Sequence, residues 1–479
     1  MEEPRPRDVL SLFPDHASPV PLSRQLVQRL RHAIRSGSLA EGSRLLPTRE
    51  FASRLGVSRN TVVAAVDQLI AEGYLVARVG SGTFVARGVG AVAAPRAIPP
   101  LRLPPPAQRY LELAAARPNL GPKLLPFRTG VPDVAAFPRE PWERFARRLR
   151  AHPYRFSYGD PVGLARLRSV LADHLQQFRG VAATPEQIVV VEGAQAAIAL
   201  IASVLIEPGD PVLLEDPSYA FARLAFEARG AHVIPLSVDE NGLNAAGAPA
   251  ARLTFVTPSH QYPLGGTMSP ERRGALLEWA RLHDAYVVED DYDGEFRFGG
   301  PPLPALQNGD AEGRVIYVGT FSKVLAPGLR VGYIVAPPQL APAFGAARAV
   351  LSLGADPQTQ RTLADFIAEG YLARHVRRMT AEYRRRAELL TELLRPLAGR
   401  LQIGPATGGI HLTVTGEESL DDRAISRRGI QHNVLLHPIS TDCIARADVR
   451  GFALGFGAAP LELIPDAVTR FRSALEARE

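Results

Sequence analysis

The sequence predicts an α/β protein in which a small N-terminal winged helix-turn-helix is joined by a linker to a large domain built on a mostly parallel sheet. Three observations predict it. Apolar runs of helical period near the N-terminus are separated by a glycine turn and followed by a glycine-tipped hairpin. A proline-dense stretch comes next, and beyond it short apolar β-rich runs alternate with helical segments. At 479 residues the chain exceeds one ordinary domain and suits two or three. Hydrophobic content of 46% and charged content of 22% are ordinary for a globular protein. A net charge of +6 with a pI near 9.6 permits a nucleic-acid partner without requiring one. Cys443 is the single cysteine, which excludes an internal disulfide and fits a reducing compartment. No apolar stretch follows Met1-Glu2-Glu3-Pro4-Arg5-Pro6, and no uncharged run is long enough to cross a bilayer. These features predict a soluble, cytoplasmic protein with no membrane partner.

The first segment, residues 1–87, reads as three helices and a hairpin. Leu22, Leu26, Leu30 and Ile34 recur at helical spacing and Gly37 ends the run. Pro47-Thr48 opens a shorter helix with Phe51, Ala52 and Leu55 inward, and Thr48 is expected at its N-cap. Gly56-Val57-Ser58 makes a tight turn, and Ser58 caps a third helix whose inner face is Val62, Val63, Val66, Leu69 and Ile70. The first turn of that helix, Ser58-Arg59-Asn60-Thr61, holds side chains that hydrogen-bond phosphates and base edges, at the end a recognition helix presents to the major groove. Tyr74–Arg78 and Thr83–Ala86 form the strands of a wing turned by Val79-Gly80-Ser81-Gly82. Arg44, Arg49 and Arg78 add positive charge. The bland reading is a small helical domain with a solvated basic face. The order of helices, the polar first turn and the glycine-tipped hairpin together favour binding of double-stranded DNA, with Arg44, Thr48, Arg49, Ser58, Arg59, Asn60, Thr61, Arg78 and Gly82 as candidate contacts.

Residues 88–122 shift to Pro, Ala and Arg, including Pro99-Pro100 and Pro104-Pro105-Pro106, as expected of a stiff spacer. One or two helical turns fit Tyr110 to Ala116.

From residue 123 to 479 the strands expected are Ile188–Val191, Val212–Leu214, His232–Leu236, Leu253–Val256, Ala285–Val288, Val315–Val318 and Gly332–Val335. In such sheets ligands bind beyond the carboxyl ends of the strands, so the polar residues that follow each run are site candidates. Val315–Val318 delivers Gly319-Thr320-Phe321-Ser322-Lys323, with Arg330 seven residues on. An amine among phosphate-binding groups suits a Schiff base to pyridoxal 5′-phosphate, given a neutral lysine. On its own Lys323 reads equally as a surface lysine. Glu192-Gly193-Ala194-Gln195 turns into a helix and presents free N–H groups to an anion. Tyr219, held after a proline turn, stacks on a planar ring or simply packs. Glu289-Asp290-Asp291-Tyr292-Asp293 crowds carboxylates at one strand end, where a protonated ring nitrogen would offset one of them. An acidic surface loop is the alternative; the histidines nearby lack metal-ligand spacing.

Two families are resembled. Leu46-Pro47-Thr48-Arg49-Glu50, Leu55-Gly56-Val57-Ser58-Arg59-Asn60-Thr61-Val62, Ala71-Glu72-Gly73-Tyr74-Leu75 and Gly80-Ser81-Gly82-Thr83-Phe84-Val85 resemble the GntR-type winged helix, in which the third helix's first turn and the wing contact DNA. Most of residues 123–479 resembles the pyridoxal-phosphate aminotransferases of the aspartate aminotransferase superfamily. That resemblance implies cofactor attachment at Lys323, a bond from Asp290 to the ring nitrogen, one from Tyr292 to the ring oxygen, and Tyr219 stacked on the ring. It assigns the phosphate to Gly193, Ala194, Gln195, Thr320, Ser322 and Arg330, and makes Tyr158 a contact to the neighbouring subunit's phosphate in a homodimer. One position departs: Tyr262 of Pro258-Ser259-His260-Gln261-Tyr262-Pro263 stands where aminotransferases carry an asparagine. The two parts in this order resemble the MocR subfamily of GntR regulators. The resemblance implies a pyridoxal-phosphate-dependent transcriptional regulator that senses the cofactor or an amino effector through an aldimine at Lys323. A working aminotransferase with an accessory DNA-binding segment is the alternative, and a degenerate site without cofactor a third reading. Toward the C-terminus, Arg450 is expected to grip an effector carboxylate through a bidentate fork, with Arg223 as a second candidate. His437 lines the pocket or sits in the core, and Tyr371–Leu397 reads as a long helix with a solvated arginine face.

Overall fold

Leu26, Leu30, Leu55, Val62 and Leu69 are almost wholly withdrawn from solvent at the centre of the N-terminal part. Each side chain of this size contributes about 1.5–3 kcal/mol on burial, which is what holds so small a unit together. The structure is a computed structural model that describes residues 12–89, 102–115, 126–148, 158–299 and 303–477. The chain divides into two compact units, Met1–Pro104 and Pro105–Glu479.

In the first unit, α1 (Leu22–Arg35), α2 (Thr48–Leu55) and α3 (Arg59–Ala71) precede the antiparallel pair β1 (Leu75–Arg78) and β2 (Gly82–Val85). Helix α2 ends at Gly56, which adopts φ +66° and so allows the tight turn into α3. Ser58 caps α3, its side chain accepting from the Thr61 backbone N–H at 3.1 Å. The N-cap of α2 is Pro47, and Thr48 is the first helical residue with no capping bond. That corrects the expectation for Thr48: Pro47 already fixes the extended φ that the entry needs. The buried face of α3 is Val62, Ala65, Val66 and Leu69, with Val63 and Ile70 only partly covered.

The linker also departs from a plain spacer. Pro105–Ala115 is an 11-residue helix, opened by two prolines where missing N–H groups cost nothing. Pro99-Pro100 lies outside the described residues.

In the second unit one sheet runs in the order β3-β10-β9-β8-β7-β4-β5-β6. Its strands are β3 (Ile188–Val191), β4 (Pro211–Asp216), β5 (His232–Asp239), β6 (Gly242–Leu243), β7 (Leu253–Val256), β8 (Tyr286–Asp291), β9 (Val315–Thr320) and β10 (Gly332–Val335). Neighbours among β5, β4, β7, β8 and β9 are parallel; β10 is antiparallel to both β3 and β9, and β6 to β5. The near-continuous apolar runs follow from this: every residue of β3, β7, β9 and β10 is buried, with helices on both faces. The carboxyl ends of β4, β7, β8, β9 and β3 therefore lie along one edge. A second, antiparallel sheet has the order β11-β12-β14-β13, from β11 (Gln402–Ile403), β12 (His411–Gly416), β13 (His437–Pro438) and β14 (Arg450–Gly455).

Candidate functional site

The carboxyl edge of the large sheet gathers the candidates. Beyond β9 the chain turns at once into the short helix Phe321–Val324, which carries Lys323. Thr320 caps that helix, its hydroxyl accepting from the Ser322 N–H at 3.2 Å. The Lys323 Nζ donates to the Gly130 carbonyl at 2.8 Å. Burial pushes the lysine's pKa down, against the opposing pull of Asp290 and Asp293, and Arg330 adds to the lowering. The shift runs toward the neutral amine, the form in which an amine is nucleophilic.

Asp290 lies near the end of β8, buried, and its Oδ1 has no hydrogen-bond partner. Burial raises its pKa to about 7, as do the neighbouring carboxylates, while Lys323 pulls it down. A buried acceptor without a donor marks a place for a cation or an N–H. Tyr292 donates to the His260 carbonyl at 2.9 Å. Behind Asp290, Glu215 is fully buried and raised to about 7 by that burial, although Thr257 donates to it at 2.7 Å.

Gly193 caps the helix Ala194–Leu205 at φ +101°. A Cβ there would come 3.6 Å from Arg330 Nη1 and 3.7 Å from Ser322 Oγ. One guanidinium, one hydroxyl and the N–H groups of a helix start thus lie close together, which suits a phosphate. Gly332 in β10 is forced by the same turn, since a Cβ would meet the Gly193 backbone at 2.7 Å. Gln195 donates from Nε2 to the Phe221 carbonyl at 3.1 Å, and its buried Oε1 has no hydrogen-bond partner. The cradle and the unpaired Asp290 oxygen, with Lys323 between their chain segments in the sheet edge, fit a planar cationic ring that carries a phosphate and an aldehyde.

The loops after β7 and β8, with His411 of β12 and His437 of β13, contribute groups that sequence reasoning named only in passing or missed. Tyr262 stands at the centre of a ring cluster: its centroid is 5.9 Å from Tyr219, 6.2 Å from Tyr292, 5.7 Å from His411 and 6.2 Å from His437. The Thr129 side chain hydrogen-bonds it, one residue before Gly130. His260 and Asp293 pair at 3.0 Å, His437 and Asp442 at 2.6 Å. Burial depresses the His411 imidazole to about 3; His437 is depressed by burial but raised overall by the Asp442 carboxylate. His260, Asp293 and His411 present ligand-type atoms within 4.8 Å of one another. Their bonds are made within the protein, however: Asp293 accepts from the Ile410 N–H, and His411 Nε2 bonds the Pro263 carbonyl. The signal for this wall was the period-2 pattern of β12 and β14, which needs their register to be read.

That register bears on Arg450. His411 pairs with Gly455, Thr413 and His437 with Ala453, so these positions share the face toward Pro263. Arg450 opens β14 opposite Gly416, in phase with Phe452 and Leu454, which point into the core. Ala453, in the alternate phase, is the β14 position paired with both Thr413 and His437. Arg223 lies one turn into the helix Ala220–Ala228, where its Nε is buried without a hydrogen-bond partner. Tyr158 is 86% exposed on this chain.

On the first unit Ser58, Arg59 and Asn60 are exposed and Thr61 is partly covered. Arg49 is exposed on α2, with Thr48 half-buried beside it. Arg78 lies over the Phe84 ring at 4.8 Å. Arg44 bridges to Phe84 and crosses the wing at Gly82, where a Cβ would meet its Nε at 2.8 Å. Gly82 has φ +106°, so it answers both a backbone and a space requirement.

Comparison with known proteins agrees with both units. Residues 123–450 match the family described as aminotransferase class I and II, and residues 22–85 the bacterial regulatory proteins of the gntR family. The probable rhizopine catabolism regulatory protein MocR of Rhizobium meliloti is 40% identical over 474 residues, 97% of this chain and 96% of that protein. The HTH-type pyridoxine biosynthesis transcriptional regulator PdxR of Corynebacterium glutamicum is 35% identical over 89% of this chain and 90% of its own length. Among solved structures, the α-aminoadipate aminotransferase LysN of Thermus thermophilus, complexed with N-(5′-phosphopyridoxyl)-L-leucine, superimposes with a TM-score of 0.71 at 28% identity, covering 78% of this chain and 97% of that one. Among the described residues no helix is long and apolar enough to cross a membrane.

Proposed function

This chain belongs to the MocR type of GntR transcriptional regulators, and from that premise we propose that its winged helix holds an operator while Lys323 senses pyridoxal 5′-phosphate or an amino compound that reaches it. Pyridoxal 5′-phosphate is the cofactor of the aminotransferase-like domain. When bound, it supplies an aldehyde that condenses with primary amines. Lys323 brings an amine whose charge burial disfavours, its Nζ donating to the Gly130 carbonyl. Asp290 holds the ring nitrogen protonated, Tyr292 orients toward the ring oxygen and Tyr219 covers a face. Gly193, Ala194, Gln195, Thr320, Ser322 and Arg330 hold the phosphate. Tyr158, exposed on its own chain, reaches the phosphate site of a second copy in a homodimer. Arg44, Arg49, Arg59, Asn60 and Arg78, with Thr48, Ser58, Thr61 and Gly82, form the DNA surface.

The observation that carries this reading is the unpaired Asp290 oxygen beside a lysine whose charge burial disfavours, in a chain whose other unit presents an exposed polar helix start. Whole-chain alignment with named regulators, head included, supports control of transcription over turnover. A ligand controls the DNA heads only to the extent that it prefers one arrangement of them. The test is direct. Purified chain loaded with cofactor should colour, borohydride should fix the cofactor to Lys323, and the chain should retard its own upstream DNA in a salt-sensitive manner. Colour that borohydride fixes at another lysine contradicts the assignment.

A further inference from the structure

The two acids that close β8 take opposite faces of the sheet. Asp290 pairs with Val318 of β9 and Asp291 with Gly319, and successive strand residues alternate in direction. On the cofactor reading above, on which this inference rests, Asp290 meets the ring nitrogen. Asp291 turns the other way and meets Arg179, the last residue of the helix Ala165–Arg179 and as deeply buried as the acid. The guanidinium spans three segments. Nε donates to Asp291 Oδ2 at 2.7 Å, Nη2 to Ser259 Oγ at 2.8 Å, and Nη1 to the carbonyls of Leu303 at 2.8 Å and Gly294 at 3.2 Å. Tyr317 donates to the same Asp291 oxygen at 2.6 Å, and the buried Asp291 Oδ1 has no hydrogen-bond partner. Among the described residues Arg179 is the one cation in an ion pair with Asp291. The other charged groups nearby are otherwise engaged. Burial pushes Glu289 and Glu295 toward the protonated form, and Asp293 holds His260. Arg273 spends its N–H groups on the carbonyls of Met268, Pro304 and Pro258, and the buried Arg297 Nε has no hydrogen-bond partner. Around Asp290 itself stand Lys323, Asp293 and Glu215.

We propose that Arg179 is a positioning residue for the cofactor that acts through Asp291: by meeting that acid on the far face of β8, it leaves Asp290 able to carry the charge a protonated ring nitrogen needs. Two neighbouring carboxylates in a dry site do not both ionise readily. With Asp291 matched by a guanidinium, its field at Asp290 is largely cancelled. Without Arg179 the two acids compete, and Asp290 ionises only at higher pH. Burial and then Asp291 are already the leading causes that hold Asp290 above the ordinary carboxylate range. The same guanidinium ties the Ser259-His260 turn to the loop after β8, where Tyr292 donates to the His260 carbonyl. One buried fork thus anchors both loops that carry the ring contacts, a task for which the planar arginine is suited.

The experiment uses the full chain and pyridoxal 5′-phosphate as the probe, with affinity read by fluorescence titration across the pH range in which Asp290 titrates. Affinity should rise with pH as Asp290 ionises, and the position of that acid limb is the signature. Arg179→Met should move the limb up by about one pH unit and weaken binding at neutral pH by about tenfold. Asp291→Asn should move it down, because the competing acid is gone. The double variant Arg179→Met/Asp291→Asn should bring it back to the wild-type position, since the charge stranded by the first change is removed by the second. An arginine that only holds the fold would lower the melting temperature and leave the limb in place in all three, which overturns the proposal. If Arg179→Met does not fold, the other two variants decide. An unmoved limb in Asp291→Asn, or a displaced limb in the double variant, overturns the proposal and leaves the cofactor reading standing. Wild-type chain that takes up no cofactor at any pH overturns both.

Discussion

At the scale of single residues the site is a set of ionisable groups moved from their ordinary states by burial. Lys323 is pushed toward the neutral amine, while Asp290 and Glu215 are pushed up to about 7. The sign for Glu215 can be worked through. Its ordinary value is 4.5 and its folded value about 7, so between these the folded chain keeps a proton that the unfolded chain has released. Stability of the cofactor-free protein therefore falls as pH rises through that window and stays lowered above it. Glu215→Gln fixes the uncharged form. It is expected to change little near the lower end of the window and to stabilise by about 1 kcal/mol or more above pH ~7, as thermal denaturation at the two pH values will show. Asp290 belongs to the same logic with a different end: if the protonated ring of the cofactor pairs with it, cofactor binding near pH 7 should release the proton that burial keeps on this carboxyl. Asp290→Asn should weaken cofactor binding measured by fluorescence titration by about tenfold or more.

At the scale of elements, helix α3 and the wing divide stability from recognition. Ser58 caps α3, so Ser58→Ala is expected to cost about 1 kcal/mol of local stability, visible as faster hydrogen exchange at the Thr61 amide. Asn60 is exposed and takes no part in the core, so Asn60→Ala should leave stability unchanged and lose about 1–3 kcal/mol of specific DNA affinity in a mobility-shift titration. Gly82→Ala tests the wing. A β-carbon at φ +106° strains the turn and displaces Arg44, so DNA binding should weaken even though no contact atom is removed. This scale also shows what the sequence made legible. Glycine turns, Ser58 and the apolar strands could be placed because their causes are local. Thr48 was misplaced by one residue because Pro47, which has no side-chain acceptor, holds the N-cap position. Which face Arg450 takes depends on a one-residue phase in β14, which composition does not carry. The histidine wall was obscure for the same reason: it exists only once β12, β13 and β14 are paired.

At the scale of the whole molecule the chain joins a gntR-type winged helix to a domain of the class I and II aminotransferases. The architecture of the large unit was legible because a parallel sheet buried on both faces leaves continuous apolar runs, while the antiparallel setting of β10 left no mark in composition. The helix Pro105–Ala115 was obscured by the prolines around it, which open a helix as readily as they prevent one. If Lys323 is where the molecule receives its signal, the two units must answer to one residue. The most direct measurement is a mobility-shift titration of the chain's own upstream DNA with wild type and Lys323→Ala, each with and without pyridoxal 5′-phosphate. The account predicts that the cofactor changes the affinity or the pattern of wild-type binding and leaves that of Lys323→Ala unmoved, with both proteins folded and both binding DNA. Identical responses from the two proteins would contradict it.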